Sequence, residues 1–136
     1  VGETSNLPSV IFNLRRRSSN PQDPRLRPDV DTLVSTMRLL RERVAVFLAT
    51  AQDLRRLANK DMDLVGPAME LARVSHNLAT KIRLVEGEME KTEWPLRRAG
   101  FDAQVQVIMD DNRQLSRSTG QLELETAELY KQIVSK

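Results

Sequence analysis

The stretch VDTLVSTMRLLRERVAVFLATAQDLRRLA, residues 30–58, decides the fold of this chain. Its apolar side chains recur at alternating steps of three and four residues, the repeat by which helices pack side by side. Apolar flanking residues widen this stripe enough to touch two neighbours. We therefore expect a first helix over about residues 29–64, capped by Asp29 or Asp31, with Phe47 packed centrally between two partner helices. The stripe consists of Val30, Leu33, Met37, Leu40, Val44, Phe47, Ala51, Leu54 and Ala58.

Two more stripes with the same spacing follow along the chain. They predict helices over about residues 67–91 and 93–136. The sequence Thr92-Glu93-Trp94-Pro95 predicts the corner between them, since threonine caps helices and proline suits a first turn, and we expect Trp94 to fill that corner. The short links predict an elongated, up-down-up three-helix bundle, or antiparallel coiled coil. A kinked rod that buries its stripes in a dimer is the alternative arrangement.

The composition favours the same all-α class and removes most enzyme chemistry. The 136 residues are 29% charged and 40% hydrophobic but only 4% aromatic, with five Gly and six Pro, which suits long helices in one domain. With no Cys and one His, thiol nucleophiles, disulfides, thiolate zinc sites and two-His metal sites are excluded. We expect no enzyme activity, no catalytic residue, no metal and no cofactor.

Residues 1–28 differ from the rest of the chain in charge and in proline content. They hold five Arg against two acidic residues, a net charge of +3, whereas residues 29–136 carry −1. They also contain four of the six prolines and the run Ser18-Ser19-Asn20, a composition that resists regular structure. We therefore expect an extended or disordered basic arm in front of the three-helix bundle.

The predicted helices are unequal in length. At 1.5 Å per residue they measure about 54, 38 and 61 Å, so the middle helix cannot cover the first and third completely. This leaves the base of the first helix uncovered, around residues 30–37, and the end of the third. We predict that the end of the third helix binds a partner chain or a second copy through Leu122, Leu129, Tyr130 and Ile133.

The arm contains an apolar run formed by Val10, Ile11, Phe12 and Leu14. This run either folds back onto the uncovered base of the first helix or serves as a short linear motif for a protein partner. Both alternatives predict that its apolar side chains, rather than the neighbouring arginines, hold the arm in place.

Arg15, Arg16 and Arg17 form a basic patch directly after the apolar run. Three arginines without interleaved aromatic residues are a weak signal for nucleic acid. They do precede Ser18 and Ser19 in the pattern that basophilic kinases accept, and a phosphate there would cancel most of the positive charge of the arm. Both serines are therefore phosphorylation candidates.

Other polar residues give little indication of a site. The clustered carboxylates predict solvated charge, because side chains one or two residues apart on a helix diverge. His76 has no second histidine and no nucleophile beside it. Asn112 lies in the third stripe, where it either fixes helix register or is hydrated in a thin part of the bundle. The carboxylates concerned are Asp61, Asp63, Glu86, Glu88, Glu90, Asp110 and Asp111.

These features predict a non-enzymatic protein interaction module, acting as scaffold, tether or adaptor. It would bind partner helices or peptides through its helix stripes or its N-terminal motif, and it can also form a homo-oligomer. The alternative is a basic-arm module that binds nucleic acid or an anionic membrane surface with the bundle as a spacer. Because the arginine triplet is only a weak signal for such binding, we expect neither nucleic acid nor membrane as the main partner.

The cellular setting is predicted from two further observations. The longest stretch without a charged residue, residues 4–14, has eleven residues, against about 20 for a membrane-spanning helix. The chain begins at Val1 rather than Met, so we expect it to be part of a larger protein. The absence of Cys and of an apolar stretch long enough to span a membrane predicts an intracellular protein, cytoplasmic or nuclear.

Overall fold

The computed structural model of the chain describes residues 2–57 and 65–134, with side chains described over residues 7–56 and 65–134. Within these ranges there are four α-helices and no strand. The all-α prediction is confirmed. The prediction of three helices behind an extended arm is wrong, because most of the predicted arm forms a helix. The helices are α1 (Gly2–Arg17), α2 (Leu26–Leu57), α3 (Val65–Arg98) and α4 (Asp102–Val134).

Helix α1 forms because the arm carries a short stripe of its own. Leu7, Ile11 and Leu14 follow one another at steps of four and three, and all three are buried. Pro8 lies within α1, while the other prolines of the arm lie in the turn after it or in the first turn of α2. A first-turn proline is tolerated because the amide groups there have no partner inside the helix. The prolines therefore interrupt and delimit helices in this segment without abolishing them.

Asp23 caps the start of α2. Its Oδ1 accepts a hydrogen bond from the Arg25 amide at 3.0 Å, and its carbonyl oxygen accepts one from the Leu26 amide at 3.1 Å. Helix α2 thus starts at Leu26 rather than at residue 29, and the prediction of Asp29 or Asp31 as the cap is wrong. The predicted end of this helix, near residue 64, lies outside the described residues.

The predicted corner at residues 92–95 lies inside α3. Thr92 is buried, and its hydroxyl donates to the Glu88 carbonyl one turn earlier at 2.7 Å, so it belongs to the helix and does not cap a new one. Trp94 is 62% exposed and fills no corner; its ring lies 6.0 Å from the Arg97 guanidinium. The corner prediction is therefore wrong.

The turn between α3 and α4 is set by Gly100. Its φ of +96° lies in the left-handed region that favours glycine. Beyond it, the Phe101 amide donates to the Leu96 carbonyl at 3.1 Å, the long-range bond of a Schellman helix end. Both Leu96 and Phe101 are buried, so the turn also closes this end of the core.

The four helices form a ring in the order α1, α3, α4, α2. Helix α4 packs along α2 and α3, whereas α1 packs on α3 and touches α2 only briefly. Among the described residues, no Cα of α2 lies within 8 Å of a Cα of α3, and the same holds for α1 and α4. These two pairs are therefore diagonals of the ring, not neighbours.

Side-chain pairs fix the helix directions. Arg41 reaches Asp111 and Arg55 reaches Glu125, both at 2.9 Å, so α2 and α4 run parallel. Contacts of α3 with α4 run the opposite way, from His76–Glu123 at 2.6 Å to Glu86–Ser116 at 2.5 Å. Helices α2, α3 and α4 therefore alternate in direction. The end of α1 lies beside the start of α2, where Arg17 pairs with Asp29, so α1 runs antiparallel to α2 and parallel to α3.

The three long helices are matched in length. They have 32, 34 and 33 residues, about 50 Å each, whereas α1 has 16 residues and measures about 24 Å. The predicted overhang does not exist, because α3 starts before Pro67 and continues beyond residue 91. Leu122, Leu129 and Ile133 are buried within the bundle. The helix-length prediction is wrong for this reason.

The core has two separate parts. The basal cluster surrounds α1 and contains Ile11, Val30, Ile82 and Ile108 among its members. A smaller distal cluster, at the other end, is built on Ala68, Leu129 and Ile133. Between the clusters, small or polar side chains are buried, namely Ala51, Ser75, Ala79, Thr119 and Thr126, together with Leu122. Phe47 is half-buried and belongs to neither cluster, so it is not the central core residue that the sequence predicted.

Candidate functional site

Helix α1 fills the space between α2 and α3 only in the basal half of the bundle. Arg15 Nη1 lies 3.0 Å from Glu88 Oε2 and 3.5 Å from Thr92 Oγ1, which fixes the height of α1 on α3. Gly2 is thirteen residues earlier, about 20 Å further along the parallel helix, and therefore level with about residue 77 of α3. Beyond that height, roughly 18 Å of α3 has no α1 beside it.

This uncovered space is a shallow apolar groove, which we call the open groove. One wall is Leu54 of α2, which is 39% exposed. The floor belongs largely to α4, and its side chains have almost no exposed surface. The other wall belongs to α3. Every lining residue is apolar. The open groove is lined by Leu54, Pro67, Ala68, Leu71, Leu129 and Ile133.

The open groove continues the surface that holds α1. Glu88 and Thr92 of α3 contact Arg15 of α1, and positions on the same helix face recur every three or four residues. Counting back along α3 by such steps gives Val85, Lys81, Leu78, Val74, Leu71 and Pro67. The face of α3 that binds α1 in the basal half is therefore the face that no other described helix covers in the distal half, and Val74, Leu71 and Pro67 make it apolar there.

Charged side chains at the distal end pair within the helices that form the walls. Arg73 lies against Glu70 on α3 and lowers the pKa of that carboxyl. Arg56 pairs with Asp53 on α2. Because these pairs neutralise each other, the charged side chains described here on the walls add no net charge of one sign to the open groove.

The apolar run of the predicted arm divides between core and surface. Ile11 and Leu14 lie in the basal cluster with Val30, Leu33 and Met37, so these two side chains fold back onto the base of the bundle. Val10 and Phe12 are exposed on the outer side of α1, and Phe12 lies 5.1 Å from the Arg15 guanidinium. Of the two alternatives, folding back describes the buried pair, while the exposed pair remains available to a partner.

The residues predicted at the end of the third helix lie in the bundle. Leu129 and Ile133 form the distal cluster and the floor of the open groove, and Leu122 is buried in the layer below. Tyr130 is half-buried and packs against the distal cluster. The prediction of a free helix end is therefore wrong, and two of its residues instead line a groove shared with α2 and α3.

The arginine and serine residues lie at the end of α1. Arg15 pairs with Glu88 and Arg17 with Asp29, whereas Arg16 is exposed. Ser18 is buried and its hydroxyl donates to the Arg15 carbonyl at 2.6 Å. Ser19 is exposed and donates to the Arg16 carbonyl at 2.8 Å. Two of the three predicted basic-patch residues therefore form ion pairs with residues of other helices.

Within the described ranges, no group of three or more His, Asp or Glu side chains lies together in a way that could hold a metal ion. Asp61 and Asp63 lie outside those ranges. Asp111 is 2% exposed, so its interpretation as solvated charge is wrong. Asn112 is also buried, so it does not lie at a solvent-exposed surface, and its Oδ1 has no hydrogen-bond partner among the described residues. His76 is exposed and pairs with Glu123 of α4.

Three features were missed from the sequence. The repeat of Leu7, Ile11 and Leu14 could have revealed α1, and with it the ring of four helices. The open groove itself follows only from the difference in length between α1 and its neighbours, which needs the true helix ends. Asp111 precedes the stripe residue Asn112, and its burial depends on Arg41 from another helix, which no local pattern indicates.

Comparison with known proteins gives no match at a significant level, whether with family models, with curated proteins or with solved structures. The function is therefore inferred from the geometry of the chain itself. None of the described helices combines the length and the apolar character that crossing a membrane requires.

Proposed function

We propose that this chain is a non-enzymatic interaction module, part of an intracellular scaffold, tether or adaptor, that binds an amphipathic helix of a partner protein in the open groove. The observation that supports this most directly is the separation of α2 and α3. Their Cα atoms stay more than 8 Å apart in the described residues, even where α1 no longer lies between them. Among the described residues, the distal half thus holds three helices, and α2 and α3 stay apart there as they do in the basal half.

The occupant is defined by the surface that α1 already uses. In the basal half, α1 inserts Leu7, Ile11 and Leu14 between α2 and α3. The open groove continues that surface into the distal half, where about 18 Å of α3, the length of roughly twelve helical residues, lies beyond the end of α1. A partner helix with apolar residues at the same steps of four and three fits this space, in the way that amphipathic helices occupy grooves in other proteins.

The expected affinity is modest. Three aliphatic side chains buried in such a groove contribute roughly 5 kcal/mol before the cost of ordering the partner. The side chains of the groove floor are already buried, so a partner helix would bury little additional apolar surface there. A weak, exchangeable contact is the expected result, which suits a module whose partners change.

Methyl NMR on the full chain tests this proposal with a peptide probe. The probe is a synthetic peptide of residues 4–17, because its apolar spacing is the one the surface accepts. We expect concentration-dependent shifts of the Leu54, Leu71 and Ile133 methyl signals and no shift of Leu84, which is exposed elsewhere on α3. The same peptide with Glu at the position of Ile11 serves as the inactive control.

Two wall variants locate the contact. Leu54→Glu and Leu71→Glu, on opposite walls, should each abolish the shifts, whereas Leu84→Glu should leave them unchanged. Using both walls separates loss of binding from a folding defect in one variant. Methyl shifts confined to Val30, Leu33 and Val85 would mean that the peptide replaces α1 in the basal half, and the open groove would then not be the binding site. Absence of any shift at millimolar peptide would contradict the proposal.

The alternative function, binding of nucleic acid or an anionic membrane by a basic arm, has less support. Arg15 and Arg17 pair with Glu88 and Asp29, so the arginine triplet presents a single exposed member, Arg16. A shallow apolar groove would also have no role in such a protein. We therefore do not propose it.

A further inference from the structure

We propose that Ser19 is a phosphorylation site for a basophilic protein kinase, and that its phosphate releases α1 from the bundle. This goes beyond binding at the open groove, because it concerns the helix that closes the basal half. Ser19 lies in an exposed turn, residues 19–22, directly after α1. Arg16 and Arg17 stand three and two residues before it, the positions that basophilic kinases recognise.

Ser19 is favoured over Ser18 by exposure. Ser18 is only 7% exposed, and its hydroxyl donates to the Arg15 carbonyl. The Ser19 side chain is open to solvent and is held only by its bond to the Arg16 carbonyl at the end of the helix. Unwinding the last turn of α1 is enough to present Ser19 and its arginines in extended form.

The chemical step is an ordinary phosphoryl transfer. Ser19 Oγ attacks the γ-phosphorus of magnesium ATP supplied with the kinase, the bond from that phosphorus to the bridging oxygen of ADP breaks, and the hydroxyl proton passes to the catalytic base of the kinase. The products are ADP and a phosphoserine that carries between one and two negative charges at neutral pH.

Three consequences of the phosphate act in the same direction on α1. The hydroxyl that donated to the Arg16 carbonyl is replaced by oxygen acceptors, so this bond is lost. The new charge lies at the carboxyl end of a helix, where the helix dipole disfavours anions. The phosphate also competes with Asp29 for Arg17, whose pairing ties α1 to α2. Each effect weakens the docked state.

Helix α1 is the element most easily released. It packs on α3, touches α2 briefly and has no Cα within 8 Å of α4 among the described residues. Its ion pairs across helices are Arg15–Glu88 and Arg17–Asp29, and both arginines lie within four residues of Ser19. Release would extend the free space between α2 and α3 from the distal half into the basal half.

The test uses the full chain, magnesium ATP and the catalytic subunit of cyclic-AMP-dependent protein kinase. Mass spectrometry should place one phosphate on Ser19 of the wild type and none on Ser19→Ala. Hydrogen exchange of the phosphorylated chain should be at least about tenfold faster over residues 7–17 and unchanged in α4.

Charge variants separate this effect from added charge in general. Ser19→Glu should reproduce part of the faster exchange, whereas Ser35→Glu, at an exposed position of α2, should not. A chain that the kinase leaves unmodified, or modifies only at Ser18, would overturn the assignment of the site. Phosphate on Ser19 with unchanged or slower exchange in α1 would overturn the release.

Discussion

Arg41 Nη1 lies 2.9 Å from Asp111 Oδ1, and this ion pair joins the parallel helices α2 and α4. Asp111 is the one charged side chain that is buried among the described residues. Arg38 Nε approaches its second oxygen less closely, at 3.8 Å. The carboxylate therefore depends mainly on Arg41 for the compensation of its burial.

Replacing Arg41 should destabilise the chain more than replacing both partners. Arg41→Met leaves the Asp111 carboxylate buried without its nearest cation, and we expect a loss of about 2 kcal/mol in the free energy of unfolding. The double variant Arg41→Met with Asp111→Leu should recover most of this loss. Urea unfolding of these chains and of Arg38→Met, which should cost well under 1 kcal/mol, checks the prediction. Equal losses for the two arginines would show that the pairing geometry is different.

Ile11→Ala should loosen α1 selectively. Ile11 is fully buried in the basal cluster, and truncation of such a side chain costs about 2–4 kcal/mol. Because α1 has the fewest neighbours, we expect faster hydrogen exchange over residues 7–17, with α3 and α4 still protected. Phe12→Ala, at a position 46% exposed, is the matched control and should change exchange little. Equal effects of the two variants would contradict the docking of α1 described here.

Alanine at Gly87 and Gly120 should stabilise the chain. Both glycines lie inside helices, and a Cβ added at either meets no atom within 4 Å. Each substitution should raise the free energy of unfolding by about 0.5–1 kcal/mol. Gly100→Ala should have the opposite sign and a cost of about 1 kcal/mol, because its φ is +96°. Thermal unfolding of the three variants measures the change in the free energy of unfolding for each. A stabilising Gly100→Ala would rule out the left-handed turn.

The turn before α2 should weaken in acid through Asp23. Hydrogen bonds from the amide and the guanidinium of Arg25 lower the pKa of Asp23 below its usual 3.8. The folded state thus binds the proton less readily than the unfolded state, so this contribution to stability is complete above the usual pKa and is lost as the pH falls through the lowered one. An NMR pH titration of the wild type and of Asp23→Asn, with the chemical shift of the Leu26 amide as reporter, measures this change. A Leu26 amide that responds in the same way in both chains would exclude Asp23 as the cause.

The long stripes were sufficient to predict that α2, α3 and α4 are helices and which of their faces are buried, but not which helices are neighbours. Val30, Ile82 and Leu115 lie where the repeat of three and four places them, because burial of one helix face is a local property of the sequence. The helix ends were predicted less well. The first helix was expected to start at about residue 29, whereas α2 starts at Leu26. Pro95 was interpreted as part of a corner, whereas α3 continues past it and ends only before Gly100, whose φ is positive.

The error in helix ends determined the error in the site. Wrong ends gave unequal helices and an apparent overhang at Leu122, Leu129 and Ile133, although these residues are covered by α2 and α3. The open groove depends on the height of α1 on α3, which the pairing of Arg15 with Glu88 fixes across 73 residues of sequence. Contacts of this kind depend on the order of helices around the ring, and a single sequence does not reveal that order.

The order of the helices around the ring also determines when α1 can dock during synthesis, because α1 packs mainly on α3. Arg15 is translated 73 residues before Glu88, its partner on α3. At about 5–20 residues per second, roughly 4–15 seconds pass before the surface that receives α1 has been made. Throughout that interval Leu7, Ile11 and Leu14 lack the α3 part of their docking surface, and exposed apolar side chains of this kind make a nascent chain prone to aggregation. Slowing translation between α1 and α3 should therefore reduce the yield of folded protein.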